Sequence, residues 1–292
     1  MTAYKCNRNA NFSLEDELIF WKFSLALANK NYNNVYLICD RFYLKLLGKL
    51  PFKKIFPILS IRKDQAHIWS IGKIFAYDFI AHQNRPFIHL DSDVFLWEKL
   101  PEKLVNKSVF VQNKEHLSYP NEKNRNLKFY PAYRVDYLRD LNCKKIPKEW
   151  EDFINLPRSE TFAYNVGIIG GHDLDFFKGY TKYVRDIINN KNYNTFWNVH
   201  DEKLRKYDFS TCDFNTILAV IYEQFALGVY AYMNKKTIYA LLEGTDDYEG
   251  AKRYKYTHLL ALKDNREIVT NIKKRLSSNP YDLSINDHLF LV

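Results

Sequence analysis

Two carboxylates one residue apart, Asp91 and Asp93, stand at the end of a short apolar run, Phe87 to Leu90, which opens after Arg85-Pro86. A run of that length bounded by a turn signal reads as a buried strand. Acidic side chains beside a buried strand are costly unless something neutralises them, and a divalent cation is the natural candidate. Alternation along an extended chain would send both carboxylates to one side, where a single ion can meet both. In an open α/β sheet the carboxyl end of a strand is also where ligands bind. The plain alternative is that the pair caps the next turn, because a bare Asp-x-Asp recurs by chance.

Three other stretches carry chemistry-bearing residues. Phe162 to Gly171 contains Asn165, Gly167, Gly170 and Gly171. Glycine lets backbone approach a ligand closely, and an asparagine amide both donates to and accepts from hydroxyls. The spacing is not that of a dinucleotide fingerprint, and a turn is the alternative. Glu223, followed by Gln224, interrupts the apolar run Ile217 to Met233. A carboxylate there must be paired or lie in a polar cavity, so a site residue and a core-anchoring salt-bridge partner are both open. His258 sits in Tyr256 to Lys263, beside an apolar run, where a structural imidazole is the simpler alternative. Lys73 lies on the helix before the Asp-x-Asp strand, where a solvated lysine would also fit.

The run hydrophobic strand, Asp91-Ser92-Asp93, hydrophobic strand resembles the DxD metal site of GT-A glycosyltransferases. With Trp69-Ser70-Ile71-Gly72-Lys73 before it and Val94-Phe95-Leu96-Trp97 after it, it looks like one uncharacterised bacterial branch. The resemblance implies an α/β fold: a GT-A-like single domain over residues 1–292, with a Rossmann-like mixed sheet flanked by helices and an acceptor-side insertion at about 113–158. It implies Mn²⁺ or Mg²⁺ held by Asp91 and Asp93, with His258 as a third ligand that leans the preference toward Mn²⁺. The donor would be a nucleotide-diphosphate sugar, with Lys73, Asp91, Gly167 and Lys263 on its side. Asn165 and Glu223 would position donor hydroxyls and acceptor, Glu223 serving as general base if the reaction inverts. The acceptor would be a hydroxylated glycan or glycolipid, in surface polysaccharide or glycolipid synthesis. A nucleotidyltransferase, a nucleotide-sugar hydrolase and a non-catalytic nucleotide-sugar-binding protein remain as alternatives on the same fold.

The elements that must position these residues can be read in order. Ser13-Leu14-Glu15-Asp16 resembles a capping box opening a helix to about Asn29. Val35 to Cys39 reads as a buried strand, Phe42 to Leu47 as a helix closed by Gly48, and Ile55 to Leu59 as a strand. Gln65 to Ala81 reads as a helix, and Ser108 to Gln112 as a strand. Asn113 to Arg158 is polar and irregular, with a helix from Ala132 to Leu141. Asp173 caps a helix to Asn190, and Asp213 to Tyr232 forms another. Thr237 to Leu242 is a strand, and the Asp264 region caps a last helix reaching Leu276. No first strand of the usual kind is visible before Ser13, with Ala3-Tyr4-Lys5-Cys6 as its remnant. That departs from the resembled pattern.

Composition bounds the class. Nearly half of the 292 residues are hydrophobic and only nine are Gly and nine Pro, which describes a globular chain with a sizeable core. The formal net charge of +9 favours anionic partners such as a nucleotide donor or an anionic lipid surface. The basic residues are dispersed, so nucleic acid is not expected as a partner. Weak electrostatic membrane association is the most that the charge supports. The four cysteines have no Cys-x-x-Cys spacing, so neither a zinc site nor a disulfide framework is indicated, and a reducing cytoplasm is expected. Met1 to Ala10 has no apolar signal region, and Ile217 to Met233 reads as a buried helix rather than a membrane span.

Overall fold

The computed structural model describes residues 1–3, 14–65, 68, 70–116, 146–157, 160–193, 220–244, 247–259 and 265–278. Its strands are β1 (Thr2–Ala3), β2 (Tyr36–Cys39), β3 (Lys54–Phe56), β4 (Phe87–Leu90), β5 (Val94–Leu96), β6 (Phe110–His116), β7 (Phe162–Gly171), β8 (Tyr239–Leu242) and β9 (Tyr256–His258). Its α-helices are α1 (Leu14–Asn31), α2 (Arg41–Leu47), α3 (Ile71–Ala81), α4 (Glu102–Val105), α5 (Lys148–Ile154), α6 (Leu174–Asn189), α7 (Ala226–Met233), α8 (Tyr248–Arg253) and α9 (Arg266–Ser277). The fold is mixed α/β. The described strands form three sheets: parallel β1-β2-β3, mixed β4-β7-β6-β8, and antiparallel β5-β9. A first strand does precede Ser13. It is only Thr2–Ala3, and it pairs in parallel with Ile38–Cys39.

β7 runs through the middle of the mixed sheet, antiparallel to both β4 and β6. Every residue from Ala163 to Gly171 is buried, as expected of a strand covered on both faces. Its end needs glycine. Gly171 has φ of +144°, and a Cβ there would meet the Ser108 carbonyl oxygen at 2.1 Å. The apolar residues of α6 recur at Phe176, Phe177, Tyr180, Val184, Ile187 and Ile188, the helical period that builds one packing face. That face shares a core with Ile71, Ile74 and Tyr77 of α3 and with Phe225, Leu227 and Val229. Asp173 caps α6 by accepting from Phe176 N at 2.9 Å.

Helix α1 is apolar on more than one side because it packs between two groups of elements. Phe20 and Phe23 meet Phe95 and Trp97 in a cluster with Ile268, Val269 and Ile272 of α9, while Trp21, Leu25 and Ala28 join the core around Leu37 and Val94. Two polar residues of α1 hold β5. Ser24 Oγ donates to the Val94 carbonyl and Asn31 Nδ2 to the Leu96 carbonyl, each at 2.7 Å. They lie two helical turns apart on one face, which matches alternate carbonyls along the strand. Buried Asp16 ties α1 to α9 through Arg266 at 2.7 Å and Lys273 at 3.4 Å. Ser13 of the expected capping box lies outside the described residues.

Two helices differ from their sequence expectation. The helix expected over Gln65–Ala81 becomes α-helical at Ile71. Before it the bonds are three-residue turns, Ile68 N to Gln65 O and Ile71 N to Ile68 O, and the Gln65 side chain is drawn to Asn189. In the second, Ile221–Phe225 is a π-helical segment running into α7. Residues 213–219 of that expected helix lie outside the described residues. Among the described residues no helix is long and apolar enough to cross a membrane.

Candidate metal centre

Asp91 directly follows β4, and its backbone N–H donates to the Gly167 carbonyl at 3.0 Å, which extends the β4–β7 ladder by one bond. The chain then turns. Val94 N bonds back to Asp91 O at 3.2 Å, so the Asp91–Asp93 stretch is not extended. The two carboxylates converge through this turn, not through strand alternation as the sequence pattern suggested. β5 pairs with β9 so that Val94 faces His258, and Leu259 N donates to Asp93 O at 3.2 Å. One ligand atom from each of Asp91, Asp93 and His258 lies within 4.8 Å of the others, and His258 Nε2 is 3.5 Å from Asp93 Oδ2. Bonds of about 2.1 Å to an ion place neighbouring ligand atoms about 3 Å apart and opposite ones about 4.2 Å apart. Small side-chain rotations would close this set around one cation. Two carboxylates and an imidazole suit Mn²⁺ or Mg²⁺, with the nitrogen favouring the former.

The imidazole is aimed by its neighbours. Gln112 is fully buried, and its Oε1 accepts from His258 Nδ1 at 2.7 Å and from the Tyr256 hydroxyl. A carbonyl oxygen only accepts, so Nδ1 carries the proton toward Gln112 and Nε2 is the nitrogen that faces Asp93. Gly167 provides the space. A Cβ there would lie 2.5 Å from His258 Nδ1 and Cε1 and 2.6 Å from Gln112 Oε1. Gln112 sits where the β6–β7 register shifts, between Val111 and Asn113, and such irregularities re-aim side chains.

Behind Asp91 lies a buried charge cluster. Lys73 Nζ is 2.7 Å from Asp91 Oδ2 and 3.0 Å from Glu223 Oε1, and the Tyr77 hydroxyl donates to Glu223 Oε1 at 3.2 Å. Burial alone would lower the Lys73 pKa, but attraction to both carboxylates outweighs it and holds the ammonium above its ordinary value. Among the described residues, Glu223 has Lys73 as its one cation. Burial pushes its carboxyl up to about 7 against the pull of Lys73, with Asp91 adding to the rise. Tyr77 is pushed well above the ordinary phenol value by burial and then by Glu223, so it stays a donor. The π turn also leaves backbone to satisfy, and the Tyr180 hydroxyl donates to the Glu223 carbonyl at 2.7 Å. Burial, with Lys73 adding, holds the His89 imidazole well below its usual value, so it is neutral beside Asp91.

The description of DUF6734, a family of unknown function, matches residues 8–283. The chain belongs to that family. No curated protein matches it. Within this DUF6734 chain the structure brings together Asp91, Asp93, His258, Lys73, Gly167 and Glu223. Lys73 is 7 % exposed and ion-paired, not solvated. Glu223 is 1 % exposed with both oxygens near Lys73, so it occupies the salt-bridge role that stood as the alternative to facing an acceptor. Asn165 turns inward, with Oδ1 accepting from Gly167 N at 3.0 Å and Nδ2 donating to Glu115 at 3.2 Å. Lys263 lies outside the described residues, as does the helix expected at Ala132–Leu141. Of the 113–158 stretch, residues 113–116 pair with Phe162–Asn165 in one sheet, and 117–145 and 158 lie outside the described residues. Gln112, Tyr256 and Tyr77 carried no expectation. Gln112 is a polar residue at the end of the apolar run Val109–Val111, but nothing in the sequence links it to Tyr256 or His258.

Proposed function

We propose that this chain is a metal-dependent glycosyltransferase of GT-A-like arrangement, moving a sugar from a nucleotide-diphosphate donor to a hydroxylated glycan or glycolipid acceptor. The observation that carries the reading is the convergence of Asp91, Asp93 and His258 within 4.8 Å, with the imidazole Nε2 aimed at the shared point. An ion held there would act as Lewis acid and template for the leaving diphosphate. Asp91, Asp93 and His258 bind and orient it. Lys73 keeps Asp91 in place and adds fixed positive charge next to the leaving group's expected position. Glu223 and Tyr77 hold that ammonium still. Asn165 fixes the β7 backbone at Gly167, against which the imidazole rests. The parallel β1-β2-β3 sheet with α1 and α2 between its strands supports a nucleotide-binding half. The proposed compartment is the cytoplasm, with salt-sensitive membrane association at most.

The test is donor turnover on a panel of nucleotide-diphosphate sugars with Mn²⁺, with and without hydroxylated acceptors. Acceptor-dependent release of nucleoside diphosphate is expected, and Asp93→Ala should abolish it. Activity within a few fold of wild type in Asp93→Ala, or full activity in excess chelator, would sink the assignment. Turnover that ignores acceptors would move the reading to a nucleotide-sugar hydrolase.

A further inference from the structure

We infer that Gln112 is a positioning residue that sets the tautomer of His258, so that Nε2 is the nitrogen presented to the metal point. The inference rests on the metal centre of the proposed function and concerns how that centre is built. An imidazole offers one of two nitrogens to a cation, and the hydrogen bond at the other decides which. Here Gln112 Oε1 takes the Nδ1 proton at 2.7 Å, and Tyr256 donates to the same oxygen from the other side. The tyrosine bond anchors the amide so that its oxygen cannot rotate away from the ring. The arrangement is costly as a packing device. Gln112 Nε2 is buried with no acceptor among the described residues, a penalty that an apolar residue would avoid. The opposite tautomer would leave Nδ1 and Gln112 Oε1, 2.7 Å apart, as two acceptors facing each other. Gly167 and the register shift at Gln112 bring amide and ring together, although residues 112, 167 and 258 are far apart in sequence. A neutral amide does this without adding a charge beside Asp91 and Asp93.

Two measurements on the full chain test it: long-range ¹H–¹⁵N correlation of the His258 ring in chelator, assigned with His258→Gln, and calorimetric titration with Mn²⁺ alone. Wild type should show the Nδ1–H tautomer. Gln112→Leu combined with Tyr256→Phe, so that no hydroxyl stays buried without an acceptor, should lose that preference and bind Mn²⁺ roughly ten- to a hundredfold more weakly. Gln112→Glu keeps an acceptor oxygen and should keep the tautomer, with Mn²⁺ affinity at or above wild type; this also serves if the double variant does not fold. An Nε2–H tautomer in wild type overturns the inference while leaving the metal centre standing if Mn²⁺ binds. Unchanged Mn²⁺ affinity in the double variant overturns it as well. Absence of Mn²⁺ binding by wild type overturns the metal centre itself, and with it this role for Gln112.

Discussion

Replacing Glu223 by Gln isolates one buried titration. Burial raises this carboxyl from an ordinary value of 4.5 to about 7. Between those two values the folded chain holds a proton that the unfolded chain has released. Stability therefore falls as pH rises through this window, being fully present below 4.5 and lost above 7. The full span corresponds to about 3 kcal/mol, at about 1.4 kcal/mol per pH unit. Gln has the same shape, and its carbonyl can still accept from Tyr77, but it does not titrate. Lys73 stays charged throughout the range, so its altered pairing contributes a constant offset. Relative to wild type, Glu223→Gln should therefore gain about 3 kcal/mol of stability between pH 4.5 and 7.5. For a chain of this size that is a Tm difference changing by about 5 °C. Thermal and urea unfolding in chelator, at several pH values, measure it. A difference flat across the range would refute the burial argument. One that is flat above pH 4.5 and shrinks with rising pH only below it would mean that Lys73 dominates and lowers the carboxyl's pKa.

Three further substitutions follow from the packing. Gly167→Ala places a methyl 2.5 Å from the His258 ring, and should weaken Mn²⁺ binding at least tenfold while costing about 1–3 kcal/mol by overpacking; wild-type affinity in a titration would disprove the role given to Gly167. Ser24→Ala and Asn31→Ala each leave a β5 carbonyl without its donor and should each cost about 1–3 kcal/mol, and urea midpoints within error of wild type would show that water replaces them.

What the sequence revealed depended on the range of the interaction. Short-range signals held: Asp173 capping α6, the apolar face of α1, and a strand at Phe87–Leu90 ending in acid, although only His89 and Leu90 of it are buried. The start of α3 was misplaced because the periodicity before Ile71 is apolar enough for a helix, while the actual bonds there are turns. The remnant of a first strand expected at Ala3–Cys6 is a strand at Thr2–Ala3, since two residues carry no period and only pairing with Ile38–Cys39 makes them a strand. Residue types at the site were legible and their roles less so. Asp91 and Asp93 meet by a turn that alternation does not encode. Glu223 was open between acceptor contact and ion pair until Lys73, 150 positions away, settled its neighbours. Gln112 was unreadable as a positioning residue because its partners, Tyr256 and His258, belong to a strand that pairs with β5 and not with its own.

That last feature bears on how the centre is held together. Asp91 closes β4 in the four-stranded sheet, whereas His258 ends β9 in the two-stranded one. The turn Asp91–Asp93 is the shortest of the chain's passages between these sheets, the others running from β5 to β6 and from β8 to β9, and Gln112, from the first sheet, reaches the imidazole of the second. An ion coordinated by all three ligands would join the sheets at a second point beside the turn. Its binding energy would then be spent on fixing the angle between them, and the folded state would gain about 2.7 kcal/mol at a hundredfold excess over Kd. Without it, the joint is maintained by α1, whose Ser24 and Asn31 grip β5 from the side away from β9. The helix and the ion thus restrain the same short strand from opposite directions. The polar side chains of α1 satisfy the Val94 and Leu96 carbonyls, which burial would otherwise leave without a donor.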